Sequence, residues 1–186
     1  IVFGKIAGEN AASYAKDRAS FTEISQSEID EVVEETLEPL SREGGENPAK
    51  VVSDLREMMQ NKAGIIRTGD LLQEAISDLE SLRERGASTS PGGGRVYNPG
   101  WHQALEIGAM VDVSKMCAIS ALRREESRGA HTRDDFPETD HEHWGKVNSV
   151  ISMGEDGSMN IDFVSYPKIP KELRSLLDSE DLHEEE

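Results

Sequence analysis

"NPGWHQALEIGAMVDVSKMCAISALRREES", Asn98 to Ser127, decides the fold. Asn98-Pro99 is a helix start, because an Asn side chain caps the first free N–H groups and Pro at the first helical position gives up only an N–H that has no helical partner. The stretch that follows predicts a long helix from about Pro99 to Ser127. Its middle is apolar nearly all round: Leu105, Ile107, Ala109, Met110, Val111, Val113, Met116, Cys117, Ile119 and Leu122. A helix apolar on most faces belongs inside a bundle, contacted on several sides. Lone Cys117 is accordingly expected as a buried packing thiol rather than a reactive one.

Working outward, three more helices are punctuated clearly. "SQSE" offers a capping box from Ser25 to Glu28. Ile29, Val32, Val33, Leu37 and Leu40 then fall on one face, and Gly44-Gly45 stops the run. Asn47-Pro48 repeats the Asn-Pro start, and Val51, Val52, Leu55, Met58 and Met59 make the next stripe, ended by Gly64. Asp70 is placed to cap a further helix with Leu71, Leu72, Ala75, Ile76, Leu79 and Leu82 inward and Gly86 as its stop. "GASTSPGGG" reads as a flexible connection. After Gly129 the pattern turns β-rich. "KVNSVISM" and "MNIDFVSY" alternate about the turn cluster "GEDGS", predicting one hairpin that must lean on something else to persist. A short helix over "KELRSLL" and a solvated acidic tail, "DSEDLHEEE", follow. The expected fold is mainly α: an antiparallel bundle of three or more helices, then a small C-terminal region with a β-hairpin.

Composition narrows the function classes. The chain has 186 residues, 35% hydrophobic and 31% charged, with a formal net charge of −17, so its surface repels phosphate backbones and anionic lipid, and no nucleic-acid partner is expected. One cysteine permits no intrachain disulfide and suits a reducing compartment. No apolar run approaches the ~20 residues a membrane helix needs, and no secretory leader is recognisable. The opening "IVFGKIAGENAASYAK" is apolar and rich in Ala and Gly, where a native chain start is usually polar and loosely held. The chain is expected to be the C-terminal part of a larger protein.

The segment after the long helix, "EESRGAHTRDDFPETDHEHW" (Glu125–Trp144), holds three of the five histidines. His131, Asp134, Asp135, His141 and His143 are metal-ligand types, but their spacing matches no structural zinc site, and no metal is expected. Arg123, Arg124, Arg128 and Arg133 could clamp a dicarboxylate bidentately. The plainer alternative is that they pair with Glu125, Glu126, Asp134 and Asp135. Arg128-Gly129-Ala130-His131 places small residues between polar ones where the helix ends, which suits a tight contact between modules. "SPGGGRV" lacks both the preceding strand and the spacing of a phosphate loop.

These residues carry a resemblance. "ESRGAHTRDDFPETDHEHW" (Glu126–Trp144) resembles the C-terminal signature of the succinate dehydrogenase/fumarate reductase flavoprotein family. "VFGKIAG" (Val2–Gly8), "MMQNKAGIIRTGDLLQEAISDLESLRER" (Met58–Arg85) and "ALEIGAMVDVSKMCAISALRRE" agree in the same order. L-aspartate oxidase shares the Glu-Ser-Arg-Gly piece but usually lacks the continuation present here as Arg133, Asp135, Phe136, Pro137, Asp140 and Trp144. Adenylylsulfate reductase fits less well. A free-standing helical interaction module is the alternative from another class.

The resemblance implies a flavoprotein subunit that interconverts succinate and fumarate by hydride transfer at FAD and passes electrons to an iron–sulfur subunit. It implies a cytoplasmic position, peripheral to the inner face of the cell membrane through partner subunits and a membrane anchor. The family's catalytic and flavin-binding residues match nothing in this chain, so the chain alone is expected to be inactive and to bind no cofactor. The implied layout is a terminal helix of the upstream FAD-binding domain (1–20), a helical bundle (21–130) and a small C-terminal domain (131–186) with its hairpin at 146–166. The Glu125–Trp144 segment is then a docking surface toward the FAD-binding domain and the iron–sulfur subunit. Arg128 and His131 would anchor it, Arg133, Asp134 and Asp135 would make charge-assisted contacts, and Phe136 and Trp144 would be its apolar anchors.

Overall fold

The computed structural model describes residues 2–18, 21, 23–170 and 173. Nearly all of the expected "KELRSLL" helix and all of the acidic tail lie outside the described residues. The chain divides into two compact units, Ile1–Glu38 and Pro39–Glu186. The first holds α1 (Val2–Asp17) and most of α2 (Gln26–Ser41). Ser25 and Glu28 close the expected capping box on α2: the Glu28 N–H donates to Ser25 Oγ at 3.2 Å, and the Ser25 N–H donates to Glu28 Oε2 at 2.8 Å.

The second unit is built on α3 (Pro48–Lys62), α4 (Gly69–Ala87) and α5 (Pro99–Arg123). Its ion pairs give the directions. Lys62 at the end of α3 meets Glu74 and Asp78 in the first half of α4, and Asp54 in the middle of α3 meets Arg85 at the end of α4. Arg83 pairs with Asp112, and Glu80 with Lys115 further along α5. Each helix therefore runs antiparallel to the next, as the sequence predicts. Their inward stripes merge into one core of Val51, Val52, Leu55, Leu79, Leu82, Ile107, Val111 and Ala118. A fully buried side chain of this kind contributes about 1.5–3 kcal/mol, so this cluster dominates the unit.

Local chemistry departs from expectation at four places. Thr68, not Asp70, is the N-cap of α4, its side chain accepting from the Leu71 N–H. Gly86 does not stop that helix. It is buried inside it, and a Cβ there would stand 2.3 Å from Ile107 Cγ2, so its lack of a side chain lets α4 and α5 close on each other. The long helix ends at Arg123 rather than Ser127, because Arg124 is already extended. Nor is α5 covered on all sides. Ile107, Val111, Ala118 and Ala121 are buried, while Leu105, Ala109, Val113, Met116 and Cys117 are exposed on the other side. Cys117 is thus a surface thiol, not a core one.

The predicted hairpin forms from β3 (Val147–Met153) and β4 (Met159–Ser165), antiparallel, with Ile151 opposite Ile161. Gly157 takes φ +78 in its turn. The hairpin leans on the bundle through Phe163, which meets the buried Trp144 edge-on at 5.0 Å and lies under the Arg123 guanidinium. One pairing has no counterpart in the sequence reading: β1 (Ile66–Arg67), between α3 and α4, runs parallel to β2 (Thr132–Arg133). Two residues are too few to show a period of two. Among the described residues no helix is long and apolar enough to cross a membrane.

Candidate functional site

The segment from Arg124 to Trp144 begins where α5 stops, and its first task is to finish that helix. The last carbonyls of a helix have no partners within it and carry partial negative charge. Arg133, only 2% exposed, supplies the missing donors. Its Nη1 donates to the carbonyls of Ala121 at 2.8 Å and Leu122 at 3.0 Å. Its other edge forms a two-pronged bond with Asp135, at 2.7 Å on each prong. Asp135 in turn accepts from the Gly69 N–H at 2.8 Å, at the opening of α4. One guanidinium–carboxylate pair therefore clasps the negative end of α5 to the positive end of α4. Arg133 beside it, with burial opposing and the Gly69 N–H assisting, holds the Asp135 carboxyl far below the ordinary range. Phe136 packs its ring under the Arg133 guanidinium, 4.9 Å from ring centre to Cζ.

A second knot surrounds Glu126, which is 0% exposed. Its Oε1 accepts from Arg124 Nε at 2.9 Å and Arg128 Nε at 3.0 Å, and its Oε2 accepts from the Asp140 N–H at 2.8 Å. Burial alone would raise its pKa, but the bonds from Arg128, the Asp140 N–H and Arg124 together outweigh burial and hold the group below its ordinary value. Arg124 continues to the Trp144 carbonyl at 2.5 Å and lies over the Trp144 ring. Arg128 also donates to the Asp140 carbonyl. The loop from Glu126 to Trp144 is thus wound around one sealed carboxylate.

His131 sits at the end of a tight turn, Arg128 to His131, in which Gly129 takes φ +58, a conformation that disfavours any side chain. Its Nδ1 meets Arg67 Nη1 at 2.9 Å and its Nε2 meets the Arg124 carbonyl at 3.0 Å. Asp134 is exposed, and its N–H donates to the Arg67 carbonyl at 2.9 Å. His131, Arg67, Arg124, Met116, Cys117 and Ser149 are among the residues lining an open groove of about 400 Å³.

All seven expected docking residues therefore fall in one continuous region. Arg128, His131, Arg133, Asp135 and Trp144 are engaged in bonds within the chain, and Asp134 and Asp135 face solvent. Of the two open pairings, the arginine–acid alternative describes this structure: Arg124 and Arg128 hold Glu126, and Arg133 holds Asp135. Two residues of the site carry more than the sequence assigns them: Glu126 opens the signature, but its charge pattern does not set it apart from the neighbouring acids as the buried one, and Arg67 lies 64 positions from the histidine it binds. Among the described residues no three His, Cys, Asp or Glu side chains come together as a metal site. The glycine-rich run before α5 is folded around Asn98, which donates to the Gly92 and Gly94 carbonyls and accepts from the Trp101 N–H, capping the helix. It is a capping loop for α5.

Residues 52–178 match the family described as fumarate reductase flavoprotein C-term. The fumarate reductase flavoprotein subunit of Mycobacterium tuberculosis (strain CDC 1551 / Oshkosh) is 34% identical over 172 residues, covering 88% of this chain and 29% of the relative. That of Escherichia coli (strain K12) is 31% identical over 170 residues, covering 88% of this chain and 28% of the relative. Among solved structures, the Mycobacterium smegmatis Sdh1 complex in the apo form superposes with a TM-score of 0.83 at 34% identity, over 98% of this chain and 31% of that one. The chain spans less than a third of the length of each of these proteins.

Proposed function

The chain belongs to the fumarate reductase flavoprotein C-terminal family, and from that premise we propose that it is the docking and bracing domain of an FAD-dependent oxidoreductase that interconverts succinate and fumarate. FAD and the reacting groups belong to another part of the flavoprotein, and hydride transfer takes place there. This domain supplies a rigid face against which that part, and an iron–sulfur subunit that accepts the electrons, are seated. The assembly lies at the inner face of the cell membrane through its partners. Residues 1–20 close the FAD-binding domain, 21–130 form the bundle and 131–186 the small terminal domain. Arg128, His131, Arg133, Asp134, Asp135, Phe136 and Trp144 hold the docking surface in shape, with Asp134 and Asp135 presented to the neighbour.

One observation carries this reading. Leu105, Ala109, Val113 and Met116 recur at helical spacing and form an exposed apolar stripe along α5, with Val113 59% exposed. A continuous stripe of this kind on a chain of net charge −17 supports a covered interface rather than a solvent face. Because the stripe lies opposite the core side of α5, Val113→Glu spares the core. In the full-length flavoprotein we expect this change to cut flavin retention and recovery of the iron–sulfur subunit at least fivefold, while the far-UV spectrum of the 186-residue chain stays as in the wild type. Unchanged flavin content and partner recovery would sink the docking reading.

A further inference from the structure

His131 is held in one protonation state by its partners. A guanidinium has no acceptor, so the contact between Arg67 Nη1 and Nδ1 at 2.9 Å requires Nδ1 to be unprotonated. The proton then sits on Nε2 and is donated to the Arg124 carbonyl at 3.0 Å. The ring thus joins Arg67 of β1 to the end of α5 only while it is neutral. We propose that His131 is an acid-sensitive latch, releasing the Arg67 loop from the end of α5 when a proton reaches Nδ1. This inference does not depend on the docking reading.

The surroundings leave a charged ring no relief. Arg67 faces it from β1, Arg124 from the end of α5 and Arg133 from β2, and all three are cations. The nearby acids are committed elsewhere: Glu126 to Arg124 and Arg128, Asp135 to Arg133. Cys117, on α5, lines the same groove. Half-burial and those three cations keep the imidazole below its ordinary pKa of 6.5, the bond to the Arg124 carbonyl opposing them. Arg67 would feel the release directly. Its carbonyl receives the Asp134 N–H, and its backbone forms the two-residue pairing with Thr132 and Arg133. When Nδ1 gains a proton, two donors, both cationic, meet at hydrogen-bond distance, and the Arg67 side chain swings out of the groove.

The sign follows from which state binds the proton more readily. A histidine whose pKa is lowered on folding contributes stability that is complete above the unfolded value and is lost as pH falls from there toward the folded value. Opening of the junction therefore begins below about pH 6.5. It steepens to at most roughly tenfold per pH unit, the limit for one proton.

The test is a pH series from 7.5 to 5.0 on the 186-residue chain, with two readouts. Long-range nitrogen–proton NMR of the imidazoles reports the tautomer and charge of His131. Exchange of the Asp134 amide, corrected for its intrinsic pH dependence, reports the Arg67 junction. The expected result is a neutral ring protonated on Nε2 at pH 7.5, and Asp134 exchange that rises as the ring becomes charged. His131→Gln keeps one donor and one acceptor but cannot titrate, so its Asp134 exchange should be flat over the same range. A ring protonated on Nδ1 at pH 7.5 overturns the proposal. So does an Asp134 amide that stays equally protected while the ring charges, or a His131→Gln chain with the wild-type pH response. Should His131→Gln fail to fold, the two wild-type readouts decide alone.

Discussion

Glu126 is a carboxylate sealed from water, and such a group is tolerable only when its charge is fully met. Here two guanidinium groups and one backbone N–H meet it. Removing the acid leaves Arg124 and Arg128 partly buried without their counter-charge. We expect Glu126→Ala to lower unfolding stability by about 3 kcal/mol, toward the low end for a broken buried pair because both arginines keep some water contact; the denaturant midpoint measures it. A carboxyl held below its ordinary value stabilises above that value and loses the effect as pH falls through the folded one. Wild-type stability should therefore drop on acidification below pH 4.5 by more than that of Glu126→Gln. None of this could be seen in "RREES". Glu125 and Glu126 are adjacent and chemically alike, and only the path of the chain to Asp140 decides which one is enclosed. The arginines and acids themselves were legible as a set, as was their tendency to pair, because opposite charges at short separation satisfy one another wherever the chain goes.

In α3 and α4 the pattern of apolar residues was a reliable guide to the inward faces, since the 3.6-residue period is a property of the backbone and not of its neighbours; in α2 it was not, because Ile29, Val32 and Val33 of the expected stripe are exposed. The helix ends were less legible. Thr68 caps α4 in place of Asp70. Thr68→Ala should cost about 1 kcal/mol in thermal or denaturant unfolding, and Asp70→Ala less than half of that; the reverse order would mean that Asp70 is the cap. Gly86 has the sequence mark of a helix stop but serves a close approach between helices. Gly86→Ala places a methyl group against Ile107 and should destabilise by about 1–3 kcal/mol. Combined with Ile107→Ala, the penalty should be clearly less than the sum, since the smaller neighbour makes room for the methyl. The early end of α5 has the same kind of cause. Arg133 comes from ten residues beyond Arg123 to take the last carbonyls of the helix, and no local rule anticipates a donor from another element.

For the molecule as a whole, the hairpin and the bundle are tied through Trp144 and Phe163 more than through backbone pairing. Phe163→Ala should free the hairpin while leaving the bundle folded. Limited proteolysis would then cut within the 154–158 turn many times faster than in the wild type, with helical ellipticity nearly unchanged. Loss of helix in step with the cutting would show instead that bundle and hairpin fold as one. What the sequence determined by itself was the mainly helical architecture, the inward stripes of α3 and α4, the Asn-Pro starts, the hairpin and the family signature. Each depends on short-range periodicity, on local caps and turns, or on residue identity along the chain. What only the tertiary structure decided was the burial of Glu126, the clasp of Arg133 across two helix ends, the meeting of Arg67 with His131, and which side of α5 is left uncovered. Those depend on distances between residues far apart in the chain. Such distances are set when the helices pack, and composition and spacing do not encode them locally.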